Sequence, residues 1–163
     1  MKNVFFSLVF LLSFINTELL AQTEKGNWLL GGSGSFNRNK YSSQLQLNPK
    51  LGYFIAKNLA VGLDLSYFRL QSVFKDKAYE MIGVGTFFRY YFLGNKRCKF
   101  FTEASYSVSK YISENTWTNY YNAGIGYSYF INKNVALEIG ANIGQGKYTP
   151  LQLGFNFGFQ IHL

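Results

Sequence analysis

The sequence predicts an all-β protein: an eight-stranded antiparallel up-and-down transmembrane β-barrel that follows a cleaved signal peptide. Three observations lead to this fold class. The chain opens on a short basic and apolar leader, and nearly every later stretch alternates apolar with polar residues at a period of two. Only 15% of the 163 residues are charged, whereas about 25% is usual in a soluble domain. A chain so poor in charge lacks the polar cover that a water-facing exterior needs.

The first 21 residues have the layout of a secretory signal peptide. Met1-Lys2-Asn3 is a basic start, an apolar run follows over residues 4–15, and Ala21 supplies a small residue at the predicted cleavage site. The apolar run is shorter than the ~18 residues that a spanning helix needs. The sequence therefore divides into a signal peptide, residues 1–21, and one barrel domain, residues 22–163.

Eight segments of the barrel domain carry the alternation that is typical of strands. In chain order they cover residues 28–36, 45–55, 59–67, 80–92, 100–108, 119–130, 135–143 and 151–163. The longer breaks between them lie at residues 37–43, 71–78, 110–116 and 144–150. These breaks alternate with shorter ones, as connections do on the two sides of a meandering barrel.

The two faces of the predicted strands differ in composition. One face is rich in Leu, Ile, Phe and Tyr, whereas the other carries mostly Gly, Ser, Asn and Gln. Small residues, hydroxyls and amides suit a narrow lumen, because they fit together and hydrogen-bond to one another. The apolar face ends in Tyr53, Tyr67, Tyr90 and Tyr129 near the turns, which is typical of the aromatic girdles of membrane barrels. We therefore predict that the apolar face meets lipid; the alternative is a soluble lipocalin-like carrier.

The few charges on the polar face pair by position. Hairpins centred on positions 57 and 96 place Lys50 opposite Asp64 and Arg89 opposite Glu103. Opposite charges directly across a ladder can bond, and a buried carboxylate needs such a partner. The predicted structural site of the lumen is therefore a set of charge pairs, in which Arg89 and Glu103 close the lumen.

Two residues fit this scheme less well. Glu138 is a fifth lumen charge that faces Ser128 across its hairpin, so no cation is assigned to it. Pro49 lies inside a strand of a sheet without a free edge, where it removes a ladder donor and predicts a β-bulge.

Basic residues cluster at the longer breaks, which we expect to be external loops. They are Arg38, Lys40, Arg69, Lys75, Lys77, Lys110 and Lys147. The functional interpretation is contact with the phosphates of lipopolysaccharide or with an acidic polymer, and the structural one is ordinary solvation of loops.

Catalytic and metal-binding chemistry finds little support in the sequence. A single cysteine, Cys98, excludes a disulfide framework within the chain, and a single histidine, His162, gives no basis for a histidine-dependent triad or metal cluster. The segment Gly31-Gly32-Ser33-Gly34 lacks the following Lys-Ser/Thr pair and the helix of a phosphate loop. We predict no catalytic residue, no cofactor, no metal and no nucleic-acid partner.

Three features of the sequence are Phe88-Arg89-Tyr90-Tyr91-Phe92 before a turn, Phe101-Thr102-Glu103-Ala104 after it, and the apolar last strand. In these three features the chain resembles the small outer-membrane β-barrel family. This family includes the OmpA transmembrane domain, OmpX-like proteins and the "porin-family" barrels of Bacteroidetes. The resemblance covers the whole of residues 22–163 and implies the outer membrane of a Gram-negative bacterium, with both termini in the periplasm. It also implies insertion by the barrel-assembly machinery, although Leu163 stands where the family usually ends in Phe.

The interior of an eight-stranded barrel is just wide enough to be filled by side chains. The leading hypothesis is therefore a monomeric, non-enzymatic barrel with a filled lumen, a structural role in the envelope, short basic external loops, and lipid and lipopolysaccharide as its surroundings. The alternatives are an adhesin-like barrel that binds a surface, and a narrow pore.

Overall fold

The fold is a closed barrel of eight antiparallel strands, seen in a computed structural model that describes residues 23–74, 78–95, 97–112, 114–147 and 149–163. The predicted signal peptide lies outside the described residues. Each strand pairs with its neighbours in chain order, and β1 pairs with β8 to close the sheet. The strands are β1 (Trp28–Arg38), β2 (Ser42–Ala56), β3 (Leu59–Ser72), β4 (Tyr79–Gly94), β5 (Cys98–Tyr111), β6 (Thr116–Phe130), β7 (Val135–Gly146) and β8 (Thr149–His162). The predicted eight-stranded up-and-down barrel is confirmed.

The strands are longer than the alternation predicts, with up to 16 residues in β4. They reach into all four of the longer predicted breaks, so that the connections shrink to residues 39–41, 73–78, 112–115 and 147–148. Backbone pairing continues there although the side chains are polar, as in the Ser42–Ser72 pair at the end of the β2–β3 ladder. Among the described residues, no helix is long and apolar enough to cross a bilayer.

The barrel has two different ends. The loop end carries the four connections just named, and the terminal end carries Trp28, His162 and the turns from β2 to β3, β4 to β5 and β6 to β7. The N-terminal and C-terminal strands meet there, since the Trp28 N–H donates to the Leu163 carbonyl at 2.8 Å. An even number of up-and-down strands requires this arrangement of the termini.

The bulge predicted at Pro49 is wrong. The register of β2 against β3 is the same on both sides of this proline, and the shift in that ladder falls between Phe54 and Ala56. Gly32 lies opposite Pro49 in β1, with a φ of +146° that residues with a side chain rarely adopt. A Cβ atom at Gly32 would collide with the backbone of Asn48 and of the proline. The proline is therefore accommodated by a glycine on the neighbouring strand and not by an inserted residue.

The outer face of the barrel is apolar, as the alternation predicts. Large apolar side chains stand exposed on every strand, with Phe155 of β8 81% exposed. The buried apolar cluster is small and lies inside the barrel at the terminal end, where it includes Phe54, Phe87 and Tyr91. This barrel thus exposes most of its apolar surface, which is the reverse of a soluble protein.

Candidate functional site in the barrel lumen

The lumen is open and polar toward the loop end. It holds a cavity of about 850 Å³ whose lining reaches down to Arg89, Glu103 and Glu138. The cavity walls are built from inward-facing hydroxyl and amide side chains, among them Ser33, Ser35, Gln46, Ser105, Ser107 and Asn142. The predicted polar face of the strands therefore forms this half of the lumen.

The floor of the cavity is an ion network centred on Arg89, which is 3% exposed. Its Nη2 atom lies 2.7 Å from Glu103 Oε2, and its Nη1 atom lies 2.8 Å from Glu138 Oε1. The ammonium group of Lys50 also bonds to Glu103, and the Ser128 hydroxyl donates to Glu138 Oε1 at 2.7 Å. Both carboxylates are thus matched by cations and hydrogen-bond donors, which buried charges require.

The observed pairs agree only partly with those expected from the hairpin registers. Arg89 lies opposite Glu103 and bonds to it, as the arithmetic predicts. Lys50 lies opposite Asp64, but its ammonium group bonds to Glu103 instead, so the expected Lys50–Asp64 ion pair is wrong. The interpretation of Glu138 as an acid without a cation is also wrong, because Arg89 reaches it from β4 to β7 through the lumen. Register arithmetic detects only neighbours within the sheet, whereas barrel closure also brings distant strands face to face.

An aromatic plug fills the lumen between this network and the terminal end. We define the plug as the inward-facing residues Phe54, Phe87, Tyr91, Phe101, Phe130 and His162, all of them buried. The plug is joined to the network, because the Arg89 guanidinium carbon lies 4.1 Å from the Phe101 ring centroid. Arg89 Nη1 also donates to the Tyr91 hydroxyl oxygen at 3.3 Å. Aromatic packing and cation–π contact therefore stabilise the ion network from the side of the terminal end.

Most of the plug was not predicted, although the alternation of the strands places its residues on the inward face. Phe54 follows Lys50 and Gly52 at steps of two, so the alternation already places it inside the lumen. Phe87 and Tyr91 flank the inward-facing Arg89 in the same way. The signal was overlooked because the inward face was identified by its polar residues.

The N-terminal segment closes the terminal end of the lumen. Thr23 is buried, and its hydroxyl donates to Asn58 Oδ1 at 2.6 Å. The Lys99 ammonium donates to Thr23 Oγ1 at 2.7 Å and to Asn58 Oδ1 at 3.0 Å. The turn that carries Asn58 is held to the same segment by a backbone bond from the Asn58 N–H to the Thr23 carbonyl. The lumen is thus a cavity that is open at the loop end and filled at the terminal end.

Three of the basic residues expected in external loops belong to strands. Arg38 is the last residue of β1, Arg69 lies in β3 and Lys110 lies in β5. Arg69 forms an ion pair of 3.5 Å with Glu80 on the outer face, and the Lys110 ammonium lies 5.6 Å from the Trp117 ring centroid. The loop assignment was wrong for these residues because the strands continue past the apolar belt.

The other basic residues of that set divide between turns and the part of the chain that is not described. Lys40 and Lys147 are exposed in the connections that follow β1 and β7. Lys75 and Lys77 lie outside the described residues. The structure therefore brings no cluster of the described members of this set together around one point.

Ser128 gives a measure of how much neutral donors contribute to the network. Replacing Ser128 by Ala is expected to lower the free energy of unfolding by about 1–2 kcal/mol, since one buried lone pair of Glu138 loses its donor. The change is measured by urea unfolding in lipid vesicles. The matched control is Ser105→Ala, which removes a hydroxyl from the open cavity wall, and an equal loss in both variants would contradict a specific role for Ser128.

Comparison with known proteins shows a likeness of fold. No protein-family profile and no curated protein sequence matches the chain. Among solved structures, Neisserial surface protein A (NspA) is similar with a TM-score of 0.61 and 13% identity, over 84% of this chain and 97% of that chain. The outer membrane protein OprG from Pseudomonas aeruginosa is similar with a TM-score of 0.61 and 10% identity, over 88% and 99% of the two chains.

A third similar structure is the N-terminal β-barrel domain of Pseudomonas aeruginosa OprF, with a TM-score of 0.56 and 12% identity, over 85% of this chain and 98% of that domain. The match with this chain covers nearly the whole length of each of the three proteins, so the barrels correspond from the first strand to the last. At such low identity the likeness establishes the barrel fold and nothing about a ligand.

Proposed function

We propose that this chain is an integral outer-membrane protein of a Gram-negative bacterium, with a structural role in the envelope and no enzymatic activity. The observation that carries the proposal is the closed barrel whose outer face is apolar on all eight strands. The sheet closes where Leu29–Ser33 of β1 pairs with β8, and the seven other ladders run along most of their strands, so most backbone groups are satisfied within the barrel, as a membrane requires. The fold of the outer-membrane proteins to which the chain is similar supports this environment.

Aromatic residues at two levels of the outer face support insertion in a bilayer. At the terminal end the rings of Trp28 and Tyr53 pack edge to face, with centroids 5.1 Å apart. Toward the loop end Tyr106 and Tyr121 make a similar pair at 5.1 Å. Such belts are typical of the two interfaces of a membrane barrel.

The orientation follows from the termini. Both chain ends of the barrel lie at the terminal end, and the predicted signal peptide precedes β1. Export through the inner membrane followed by insertion from the periplasm supports an orientation with the terminal end in the periplasm and the loop end outside. The barrel-assembly machinery is the proposed partner during insertion. A monomer is supported by the pairing of the first strand with the last strand of the same chain.

Lipopolysaccharide is the proposed surrounding of the outer face near the loop end. Arg69 and Lys110 point outward there, and the Lys110 ammonium lies close to the aromatic ring of Trp117. Basic residues beside an aromatic belt suit the level of anionic headgroups. This role uses strand positions and does not depend on long loops.

The two alternatives receive less support. A narrow pore needs an open path, but the aromatic plug, the Arg89 network and the segment at Thr23 fill the terminal half of the lumen. An adhesin-like barrel needs loops that present a surface, and the four connections of the loop end span only two to six residues each.

The test is to express the chain in a Gram-negative host, wash the membranes with alkaline carbonate, and compare gel migration before and after boiling. We expect the protein to stay in the outer membrane and to migrate differently when it is not boiled, because a closed barrel resists dodecyl sulfate until it is heated. Release into the soluble periplasm would contradict the proposal and would favour the lipocalin-like carrier. Conductance steps of the purified protein in a planar bilayer would contradict a lumen that is blocked at its terminal end and would favour the pore.

A further inference from the structure

We propose that the polar cavity at the loop end of the lumen binds a neutral saccharide. The cavity measures about 850 Å³, which lies in the range of sites for small molecules. This inference goes beyond a structural role in the envelope. It rests on aromatic side chains on one side of the cavity, amide side chains on the opposite side, and a carboxylate at its floor.

One side of the cavity mouth is an aromatic wall. Phe68, Tyr79 and Tyr111 come from the adjacent strands β3, β4 and β5 and line the cavity. The ring centroids of Phe68 and Tyr79 lie 6.2 Å apart, and those of Tyr79 and Tyr111 lie 5.3 Å apart. Aromatic side chains inside the mouth of a water-filled cavity offer an apolar surface to the C–H faces of a sugar ring.

The opposite side of the cavity is an amide wall. It consists of asparagine and glutamine side chains that alternate with glycines on β7 and β8: Gly140, Asn142, Gly144, Gln152, Gly154 and Asn156. The Asn142 Nδ2 atom donates to Asn122 Oδ1 at 3.2 Å, which orients both amides. Each amide offers donors and an acceptor, and Gly140 and Gly154 give room to the neighbouring amide oxygens of Asn156 and Asn142. A sugar hydroxyl, which is both donor and acceptor, complements this wall.

The floor of the cavity presents acceptors that lack donors. The side chain of Gln160 is 2% exposed, and its Oε1 atom has no hydrogen-bond partner among the described residues. Asp64 lines the same cavity and takes part in none of the ion pairs formed by the described residues. The Gln160 oxygen is enclosed, so the Asp64 carboxylate is the acceptor that a hydroxyl-bearing ligand meets at this level.

Charge favours a neutral ligand over a charged one. The cations of the floor, Lys50 and Arg89, are already bonded to Glu103 and Glu138, and the carboxylate of Asp64 repels an anion. A cation would have to pass a loop end whose described residues include five basic side chains and only two acidic ones, Glu80 and Glu114. Hydroxyl groups meet neither barrier.

The test uses the folded barrel in lauryldimethylamine oxide, a detergent without a sugar headgroup that could compete. Maltose, cellobiose and N,N′-diacetylchitobiose are added as probes, and saturation transfer from protein to sugar protons is measured by NMR. We expect at least one of these disaccharides to bind with transfer concentrated on its C–H protons. The variants Asp64→Asn and Tyr111→Leu are expected to weaken that binding by about tenfold or more.

The matched control is Tyr106→Leu, because Tyr106 lies on β5 as Tyr111 does but on the outer face of the barrel. Binding that is unchanged in all three variants would overturn the proposal, since the sugar would then sit outside the cavity. Absence of binding for all three disaccharides, with a protein that still shows its heat-dependent gel shift, would overturn the saccharide site and leave the membrane barrel intact. Stronger saturation transfer to putrescine than to the sugars would overturn it in favour of a cation. The nearly isosteric Asp64→Asn variant decides the outcome if Tyr111→Leu fails to fold.

Discussion

Replacing Glu103 by Ala is expected to lower the free energy of unfolding by about 3 kcal/mol. The carboxylate of Glu103 is the common partner of Arg89 and Lys50, so its removal leaves Lys50 without its ion pair and Arg89 with Glu138 alone. The side chains of Lys50 and Glu103 are 17% and 15% exposed to the cavity, so water offsets part of the loss. The value is measured from urea-induced unfolding of the barrel in phospholipid vesicles.

An exposed ion pair of the same chain provides the control. Glu24 Oε1 lies 2.9 Å from Lys57 Nζ at the surface of the terminal end, and both side chains are more than half exposed. Replacing Glu24 by Ala is expected to change the free energy of unfolding by less than about 1 kcal/mol. Unfolding midpoints that are equal for wild type, Glu103→Ala and Glu24→Ala would show that the lumen network contributes nothing to stability.

The sequence predicts the ladder of this barrel well, because a period of two is a local property. The register that places Arg89 opposite Glu103 needs only the centre of one hairpin turn, and the two residues do pair in that way. The bond from Arg89 to Glu138 could not be found by the same arithmetic. It joins β4 to β7 and depends on how the closed sheet staggers its strands, which no single hairpin determines.

The ends of the strands were harder to place than their centres. Arg69 and Lys110 were assigned to loops because their neighbourhoods are polar, whereas both belong to strands that continue beyond the apolar belt. Above the belt, the outer side chains meet water or headgroups, so the alternation fades although backbone pairing persists. Composition therefore marks the apolar belt more accurately than it marks the strand.

The polar cavity and the aromatic plug show a further limit. Both lie on the same inward face, and Phe54 differs from Gln46 in position along β2 and not in facing. The polarity of alternating residues identifies the inward face of a strand, but it does not distinguish the two halves of the lumen along the barrel axis. Only the assembled barrel separates a filled terminal end from an open loop end.

Placing Arg at Ile125 is expected to lower the free energy of unfolding in lipid vesicles by about 2–4 kcal/mol. Ile125 is 56% exposed on the outer face of β6, and it lies four residues from each of the outward-facing Tyr121 and Tyr129. If these two tyrosines mark the interfaces, Ile125 sits near the middle of the apolar belt. A guanidinium there loses its hydration or draws water and headgroups into the bilayer, and either costs free energy. The measurement is urea-induced unfolding in vesicles, followed by the heat-dependent gel shift.

The control is Leu137→Arg, because Leu137 lies directly opposite Tyr129 in the β6–β7 ladder and so at the level of the aromatic belt. Arg at that depth can extend to the interface, and the expected loss is only about 0–1 kcal/mol. The difference between the two variants measures depth in the bilayer, since both exchange an apolar outer residue for the same cation. Equal losses at the two positions would contradict a bilayer around this face, and no loss at Ile125 would mean that water already covers it.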